Sequence, residues 1–349
     1  MAQVIDWGTT APKWTKSTLQ LLVCDIEHNT PNVNLNELTE RSSSFPRKFP
    51  IVTVLCSELK NDVAETVLER NINSVYPVIH EKVLFLCAEF LIHKRAHGNS
   101  IEKSLYKDMD VLGLVERLIS KRAVAFVGVR DSHMLLDGSE GIDKWKNIGT
   151  NLETDDMNLK KYMSYDELKL SAFLSVSSFT HFINNGNRHN CGTRVEKREE
   201  IEDEGIIVGL IGPRLHRSEV MEFRDIIITR QQNTAKHGFL DFFTRPPPTV
   251  NAVFASFYEK PDYTYDQIVK EYERDPDNFP NEFEVYFDNK TYEKRLALSI
   301  DTFFVEANER AKLENKMAFL HVVGIGLGVW RAFNHQKKLF LDICARRIE

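Results

Sequence analysis

Three glycines near the end of the chain, in the stretch HVVGIGLGVW at 321–330, could cradle a phosphorylated ligand. Glycine lets a ligand approach the backbone closely, and successive backbone N–H groups can bind a diphosphate. A tryptophan directly after the glycines could cover a ring of the same ligand. The residues alone allow a second interpretation, in which a buried strand ends in a tight turn and the tryptophan belongs to the core. The predicted ligand contacts are Gly324, Ile325, Gly326, Leu327, Gly328, Val329 and Trp330.

An asparagine-rich segment, NNGNRHNCG at 184–192, could bind a sugar. Asparagine and glycine tolerate positive φ, and an amide side chain offers both donors and acceptors to hydroxyl groups. Such a loop can also present backbone N–H groups to a phosphate. An ordinary asparagine-rich turn fits the composition equally well. The predicted contacts are Asn184, Asn185, Asn187, Asn190 and Gly192.

Carboxylates between 196 and 204 follow this segment closely. Cleavage of a glycosidic bond needs a carboxylate that assists the leaving group or activates water at the anomeric carbon. A sugar-binding loop followed by acids therefore indicates this chemistry, with Glu200, Asp203 and Glu204 as candidate catalytic residues. In the alternative interpretation these carboxylates lie on a solvated face. The pattern does not assign catalysis to a single acid.

Composition and missing motifs exclude several classes of function. The net charge of −6 argues against broad nucleic-acid binding. No P-loop, HExxH motif or zinc-ligand spacing occurs, so we expect no metal and no cofactor. The first residues do not resemble a signal peptide, and the longest apolar run, 83–88, is too short to cross a bilayer. We expect an intracellular protein, cytoplasmic or nuclear, without a membrane segment.

Short apolar stretches that alternate with helical ones predict the elements that would position these residues. They indicate an α/β protein with a largely parallel or mixed sheet, covered by helices on both faces. Because ligands of such sheets bind beyond the carboxyl ends of the strands, we expect both loops at one edge. A capping box at Ser164 and Glu167 predicts a helix start, and an amphipathic stripe predicts a helix over 296–311. The predicted buried strands are 51–55, 123–129, 206–211, 225–229, 250–257 and 319–323.

The order of these segments resembles the poly(ADP-ribose) glycohydrolase branch of the macrodomains. After the asparagine-rich loop come IIVGLIGPRL, DIIITRQQNT, HGF and the glycine stretch, in the order of that branch's strands and loops. Pro213 and Leu215 match its Pro-x-Leu, and Gly238 with Phe239 matches its glycine–aromatic element, within about residues 165–345. The triple-glycine loop and the Gln-Glu-Glu of that branch are absent. The chain looks closer to the atypical, arginine-specific MavL-type ADP-ribosylhydrolases.

The resemblance implies a three-layer α/β/α macrodomain-like core with a mixed sheet at 123–349, carrying a polar insertion at 259–292. A helical N-terminal extension with the first strand, 1–122, would pack on that core. The implied activity is removal of mono-ADP-ribose from a modified protein, at arginine if the MavL-type likeness holds. The partner would be ADP-ribose or an ADP-ribosylated protein.

In this interpretation the asparagines position the distal ribose, the glycines bind the diphosphate, and Trp330 or Phe239 packs near the distal ribose. Two alternatives stay open. One is a reader that binds ADP-ribose without hydrolysis, which the changed glycine loop suggests. The other is a regulatory interaction module that uses the insertion at 259–292.

Overall fold

Regular structure is spread along the whole described part of the chain. The structure, a computed structural model, describes residues 7–22, 32–123, 125–187, 189–239 and 249–348. The α-helices are α1 (Lys16–Gln20), α2 (Leu35–Ser43), α3 (Cys56–Leu59), α4 (Glu65–Asn73), α5 (Glu81–His97), α6 (Ser100–Tyr106), α7 (Val111–Ser120), α8 (Tyr165–Ser171), α9 (Phe223–Ile226), α10 (Val250–Phe257), α11 (Tyr265–Arg274), α12 (Asn289–Leu313) and α13 (Gln336–Ile348). Short 3-10 helices lie at Val52–Val54, Trp145–Asn147, Arg198–Glu200 and Ala235–His237. The strands are β1 (Tyr76–Val78), β2 (Ala125–Val127), β3 (Ser132–Met134), β4 (Glu140–Gly141), β5 (Ser175–His181), β6 (Glu204–Gly209), β7 (Ile227–Ile228), β8 (Asn281–Glu282) and β9 (Val285–Phe287).

The strands form three small sheets, in the orders β1-β5-β6, β2-β3-β4 and β7-β9-β8. The α/β class is therefore confirmed. The largely parallel or mixed pairing that the sequence predicts is not observed, because every pairing between described strands is antiparallel. Gly128 and Asp131, with φ of 87° and 48°, turn β2 directly into β3. Antiparallel strands can be joined by such short turns, whereas a parallel pair needs a crossover of about a dozen residues.

Two apolar stretches are exposed rather than forming the buried strands that the sequence predicts. Residues 51–55 contain a 3-10 turn, and Val52 is 56% exposed. Residues 319–323, which lead into the glycines, have no regular structure, and Phe319 is 89% exposed. A β-branched or aromatic residue favours a strand only where neighbours pack against it. These two predictions are wrong because that packing is missing.

The stretch 250–257 is helix α10, and the prediction of a strand there is wrong. Its buried side chains are Asn251, Phe254 and Ala255, which have helical spacing. Only part of the predicted strand at 225–229 is extended, since α9 runs to Ile226 before β7 begins.

Other predicted elements are confirmed. The Ser164 hydroxyl accepts from the Glu167 amide at 3.3 Å, while the Glu167 carboxylate accepts from the Ser164 amide at 2.9 Å, so the capping box starts α8. Strand β6 covers most of the predicted 206–211. Helix α12 buries Leu296 and Ile300 of the predicted stripe.

One hydrophobic core joins residues on both sides of the expected boundary at 122/123. Leu86 and Phe90 of α5 and Leu118 of α7 are buried in the same cluster as Trp145 and Phe254. A second core packs β7 and β9 against α12 and α13. The N-terminal helices are therefore attached to the rest of the protein by buried apolar surface. In the part of the chain that the structure describes, no helix is long and apolar enough to cross a membrane.

Candidate active site

Buried charges hold the segment 211–217, which follows β6. Arg295 on α12 is fully buried and donates to the Ile211 carbonyl oxygen at 2.8 Å. The fully buried Glu222 carboxylate lies 3.4 Å from both Arg295 and Arg214. Removing one member of such a group would leave an uncompensated buried charge, which is strongly destabilising. The three charges therefore fix this segment against α12.

The glycine stretch packs directly on that segment. Gly326 has a φ of +78°, and a β-carbon built on it would lie 3.0 Å from Pro213 Cδ. A β-carbon on Gly212 would lie 2.3 Å from the Gly326 nitrogen. Gly328 differs, because a β-carbon there would meet no atom within 4 Å. Gly326 thus serves close packing of two backbones, whereas the open side of the loop is at Gly328.

The other residues of the stretch divide between the core and the surface. Ile325 and Leu327 pack against the core around α12 and α13. The Gly324 carbonyl oxygen accepts from the Leu327 amide at 3.1 Å, which closes a turn. Val329 is 70% exposed. Trp330 is half-buried and lines a cavity, so it is the side chain of the stretch best placed to contact a ligand.

The cavity beside Trp330 has a volume of about 190 Å³. Its apolar wall includes Phe126 and the buried Trp145, whose indole N–H donates to the Met163 carbonyl oxygen at 3.0 Å. Aromatic rings beside guanidinium groups suit a ligand that carries both a ring and an anionic group. The charged side chains on its wall are Arg122, Asp131, Arg214 and Arg217.

Two of these arginines, Arg122 and Arg214, have lowered pKa values. Burial, followed by the nearby charge of Arg214, lowers the pKa of Arg122. Burial also lowers the pKa of Arg214, although Glu222 opposes that shift. Arg122 donates to the Leu118 carbonyl oxygen at 3.2 Å, and no carboxylate pairs with it in the described ranges. An anion between the two guanidinium groups would relieve their repulsion, and arginine binds phosphate through paired hydrogen bonds.

Asp131, in the turn between β2 and β3, is the carboxylate that lines this cavity. It is 1% exposed. Its Oδ2 lies 2.9 Å from Arg217 Nε and also accepts from the Tyr165 hydroxyl, whereas Oδ1 has no hydrogen-bond partner among the described residues. Burial raises the pKa of Asp131 to about 6, against the opposing charge of Arg217. Buried carboxylates with a raised pKa concentrate at functional sites.

The three predicted catalytic acids lie elsewhere, on the exposed surface before and at the start of β6. Asp203 and Glu204 line a wide groove of about 1520 Å³, and Trp330 is not part of its wall. The structure thus does not bring these acids and the tryptophan to one cavity. Each acid is paired with a neighbouring cation: Glu200 with Lys197 (3.9 Å), Asp203 with Arg198, and Glu204 with Arg70 (2.8 Å).

The asparagine-rich loop uses its side-chain amides within itself. Asn184 Nδ2 donates to the Thr193 carbonyl oxygen at 2.7 Å. The Asn185 side-chain oxygen accepts from Asn190 Nδ2 at 2.9 Å and from the Asn187 amide at 3.0 Å. Such local hydrogen bonds are typical of Asx turns. They support the interpretation as a structured turn, which would have to exchange some of these bonds to bind a ribose.

The two predicted loops lie at different ends of β6. Because β5 and β6 are antiparallel, the asparagine-rich loop follows the end of β5 that pairs with Glu204, the first residue of β6. The glycine stretch instead packs on Gly212, beyond the last residue of β6. The loops approach each other at Gly186, whose β-carbon position is 3.2 Å from His321 Nδ1. The expectation of one shared edge is wrong, since it assumed parallel strands.

Two further predicted contacts are occupied by protein neighbours. The Gly192 carbonyl oxygen accepts from the Thr53 hydroxyl at 2.5 Å. Phe239 is buried, and the Arg224 guanidinium lies 5.3 Å from its ring centre.

The charged wall of the cavity was missed by the sequence analysis. Arg214 stands inside the Pro-x-Leu motif, so a basic residue directly after a buried strand was the available signal. Asp131 begins a polar stretch that reads as surface, and its burial depends on Arg217 and Tyr165, which are distant in sequence. Within the described ranges, no group of three or more His, Cys, Asp or Glu side chains is arranged to hold a metal ion.

Comparison with known proteins adds independent information. A family model described as ADP-ribosylhydrolase MavL-like matches residues 36–349. Two similar proteins from Drosophila melanogaster carry the names ADP-ribosylarginine hydrolase CG3568 and ADP-ribosylarginine hydrolase CG2909. The first is 39% identical over 324 residues, covering 89% of this chain and 62% of that protein. The second is 37% identical over 319 residues, covering 90% of this chain and 63% of that protein. This chain thus spans a little under two thirds of the length of either relative.

Proposed function

Because the chain belongs to the MavL-like ADP-ribosylhydrolase family, we propose that it removes mono-ADP-ribose from arginine side chains of modified proteins. The observation that carries this proposal is the family match over 36–349, which includes the glycine stretch and the whole wall of the cavity. The names of the two fly relatives support arginine as the modified residue. Hydrolysis would replace the bond between the anomeric carbon and the arginine nitrogen by a bond to water oxygen.

The proposed ligand site is the open side of the glycine stretch together with the cavity beside Trp330. Backbone N–H groups around Gly328 would bind the diphosphate, and Trp330 would pack against a ring. Arg122 and Arg214 supply the positive charge that a diphosphate needs. The finer arrangement, a three-layer macrodomain-like core at 123–349 with an extension at 1–122, is part of this proposal.

The proposed chemistry needs a carboxylate but neither a metal nor a cofactor. A ribosyl group that leaves nitrogen passes through an oxocarbenium-like state, which nearby negative charge stabilises and water then captures. Glu200, Asp203 and Glu204 stay candidates for this role. Their exposure and their pairing with surface cations make them poorly suited to it, because water screens their charge.

The test is a turnover assay with the full chain. A protein mono-ADP-ribosylated on arginine is the substrate, and the same protein modified on serine is the control. We expect free ADP-ribose from the arginine-linked substrate alone. The proposal is overturned if neither substrate releases ADP-ribose above the level of buffer.

Calorimetry with ADP-ribose on the same sample separates the alternative functions. Binding without turnover indicates a reader. Absence of binding at millimolar ADP-ribose indicates an interaction module, for which the insertion at 259–292 would be the first surface to test.

A further inference from the structure

Two buried carboxylates leave an oxygen without a hydrogen-bond partner among the described residues: Asp131, through Oδ1, and Asp225, through Oδ2. The other oxygen of Asp225 accepts from the buried Lys169 ammonium at 2.8 Å, and Asp225 does not line the cavity. Asp131 does line it. An unpaired oxygen on a buried charge is costly, so its retention beside a cavity indicates a role toward a ligand.

We propose that Asp131 is the carboxylate that transfers the proton during cleavage of the ribosyl–arginine bond. This inference rests on the proposed function and adds the catalytic residue to it. The assignment differs from the three exposed acids near β6, because Asp131 shares its cavity with Trp330 and with Arg122, which pairs with no carboxylate among the described residues.

The turn between β2 and β3 fixes the direction of this side chain. The left-handed φ of Asp131, 48°, is rare for a residue other than glycine. The Asp131 backbone oxygen lies 2.8 Å from the His133 ring Nδ1, which steadies the peptide. Arg217 and Tyr165 both hold Oδ2. Oδ1 is therefore the oxygen of Asp131 that keeps no hydrogen-bond partner among the described residues, and it is the one to which we assign the proton transfer.

The proposed step balances without a co-reactant. Water oxygen forms a bond to the anomeric carbon while the bond from that carbon to the arginine nitrogen breaks, and the bonding electrons go to nitrogen. Asp131 Oδ1 takes one proton from the water and delivers it to the departing guanidino nitrogen. The products are free ADP-ribose and an unmodified arginine, and Asp131 returns to its ionised form.

The pKa of the Asp131 carboxyl suits the proposed proton transfer. An ordinary aspartate is a weak base, whereas burial raises the pKa of Asp131 to about 6. A base is most effective when its pKa lies just below the working pH, since it is then both ionised and strongly basic. The neighbours that oppose or support this shift are Arg217, which lowers the pKa, and Asp143, which raises it.

A purely structural role would predict a different outcome. Arg217 also donates to the Val129 carbonyl oxygen and lies 3.7 Å from Asp143, so it keeps contacts with the hairpin without Asp131. Asp143 gives the matched control, because it is a carboxylate near the same arginine, its side chain is 43% exposed, and it does not line the cavity.

The experiment compares wild type, Asp131→Asn and Asp143→Asn in the arginine turnover assay and in calorimetry with ADP-ribose. For Asp131→Asn we expect kcat to fall by about a hundredfold or more, with ADP-ribose affinity within about threefold of wild type. Asp143→Asn should keep both at a pH well above 6, where Asp131 is ionised in either protein. If Asp131→Asn does not fold, Asp131→Glu replaces it, with a smaller loss of kcat and the same unchanged affinity expected.

The outcomes separate the two proposals. An inactive wild type overturns the proposed function and this assignment together. An active wild type with an equally active Asp131→Asn overturns the assignment alone. Loss of ADP-ribose binding in step with activity also overturns it, because Asp131 would then be a binding or structural residue.

Discussion

Gly326 lies against Pro213 so closely that a β-carbon on the glycine would stand 3.0 Å from the proline Cδ. Gly328, two residues later, faces open space. The two glycines look equivalent in the sequence, yet one closes a contact between backbones and the other leaves room for a ligand. Substitutions at the two positions should therefore have different effects.

Gly328→Val should weaken ADP-ribose binding by about tenfold or more, with an unchanged melting temperature, because its side chain would occupy the ligand's space. Gly326→Val, in contrast, should lower the melting temperature, because it forces a valine into a positive φ against Pro213. Calorimetry and thermal unfolding measure the two effects. Normal binding by Gly328→Val would remove the glycine stretch from the ligand site.

Arg122→Gln should reduce ADP-ribose affinity by about ten- to a hundredfold, the range expected when a hydrogen bond to a charged group is lost. The affinity of wild type should also fall with salt more steeply than that of the variant. Arg130→Gln is the control, because Arg130 is exposed and pairs with Asp143 at 2.6 Å. Equal affinities for the two variants would contradict an anion site at Arg122.

The exposed acids should contribute little to turnover. Glu200→Gln, Asp203→Asn and Glu204→Gln each remove one surface ion pair, so we expect kcat within about twofold of wild type and unchanged stability. The assay with the arginine-linked substrate measures this directly. A hundredfold loss in any one of them, with ADP-ribose binding intact, would place the catalytic acid among these exposed residues and not at Asp131.

Turnover should decline as the pH falls through about 6. The base must be ionised, and burial raises the pKa of Asp131 to about 6. Below that value kcat should drop about tenfold per pH unit. The groups that face Asp131 are Arg217, Tyr165, Asp143 and His133. Because Asp143 raises the pKa of Asp131, Asp143→Asn should move the decline to slightly lower pH. His133→Gln should leave the decline in place. A wild-type profile that is flat down to pH 5 would contradict the prediction.

The Asp131 carboxyl should also make the stability of the folded protein depend on pH. A carboxylate whose pKa is higher in the folded protein binds more protons there, so its contribution to stability falls as pH rises from about 4 to 6. Asp131→Asn abolishes that change. Thermal unfolding of the variant at pH 8 should therefore show a melting temperature no lower than that of wild type.

Local features of the fold were predictable from sequence, while its long-range pairing was not. The capping box at Ser164, strand β6 and the buried stripe of α12 each depend on side chains that are close in sequence. The antiparallel pairing of β2 and β3 depends on the turn at Gly128 and Asp131, where two positive φ values reverse the chain. No periodicity in an apolar run records that reversal.

In the candidate site, too, some features could be predicted from the sequence and others arise only from folding. The glycine stretch could be recognised because glycine spacing is itself the signal. The burial of Asp131 and the repulsion between Arg122 and Arg214 arise from side chains brought together by the fold. An acidic run is visible in a sequence, whereas a single aspartate that folding buries beside a cavity is not.

The hydrophobic core that joins residues on both sides of 122/123 affects how the protein unfolds. Leu86, Phe90 and Leu118 are buried in one cluster with Trp145 and Phe254, so neither portion can lose its structure without exposing apolar surface of the other. Heating should then melt both portions in a single cooperative transition. A fragment that begins at 123 would carry an uncovered apolar face and should aggregate, so the assays should keep the N-terminal helices.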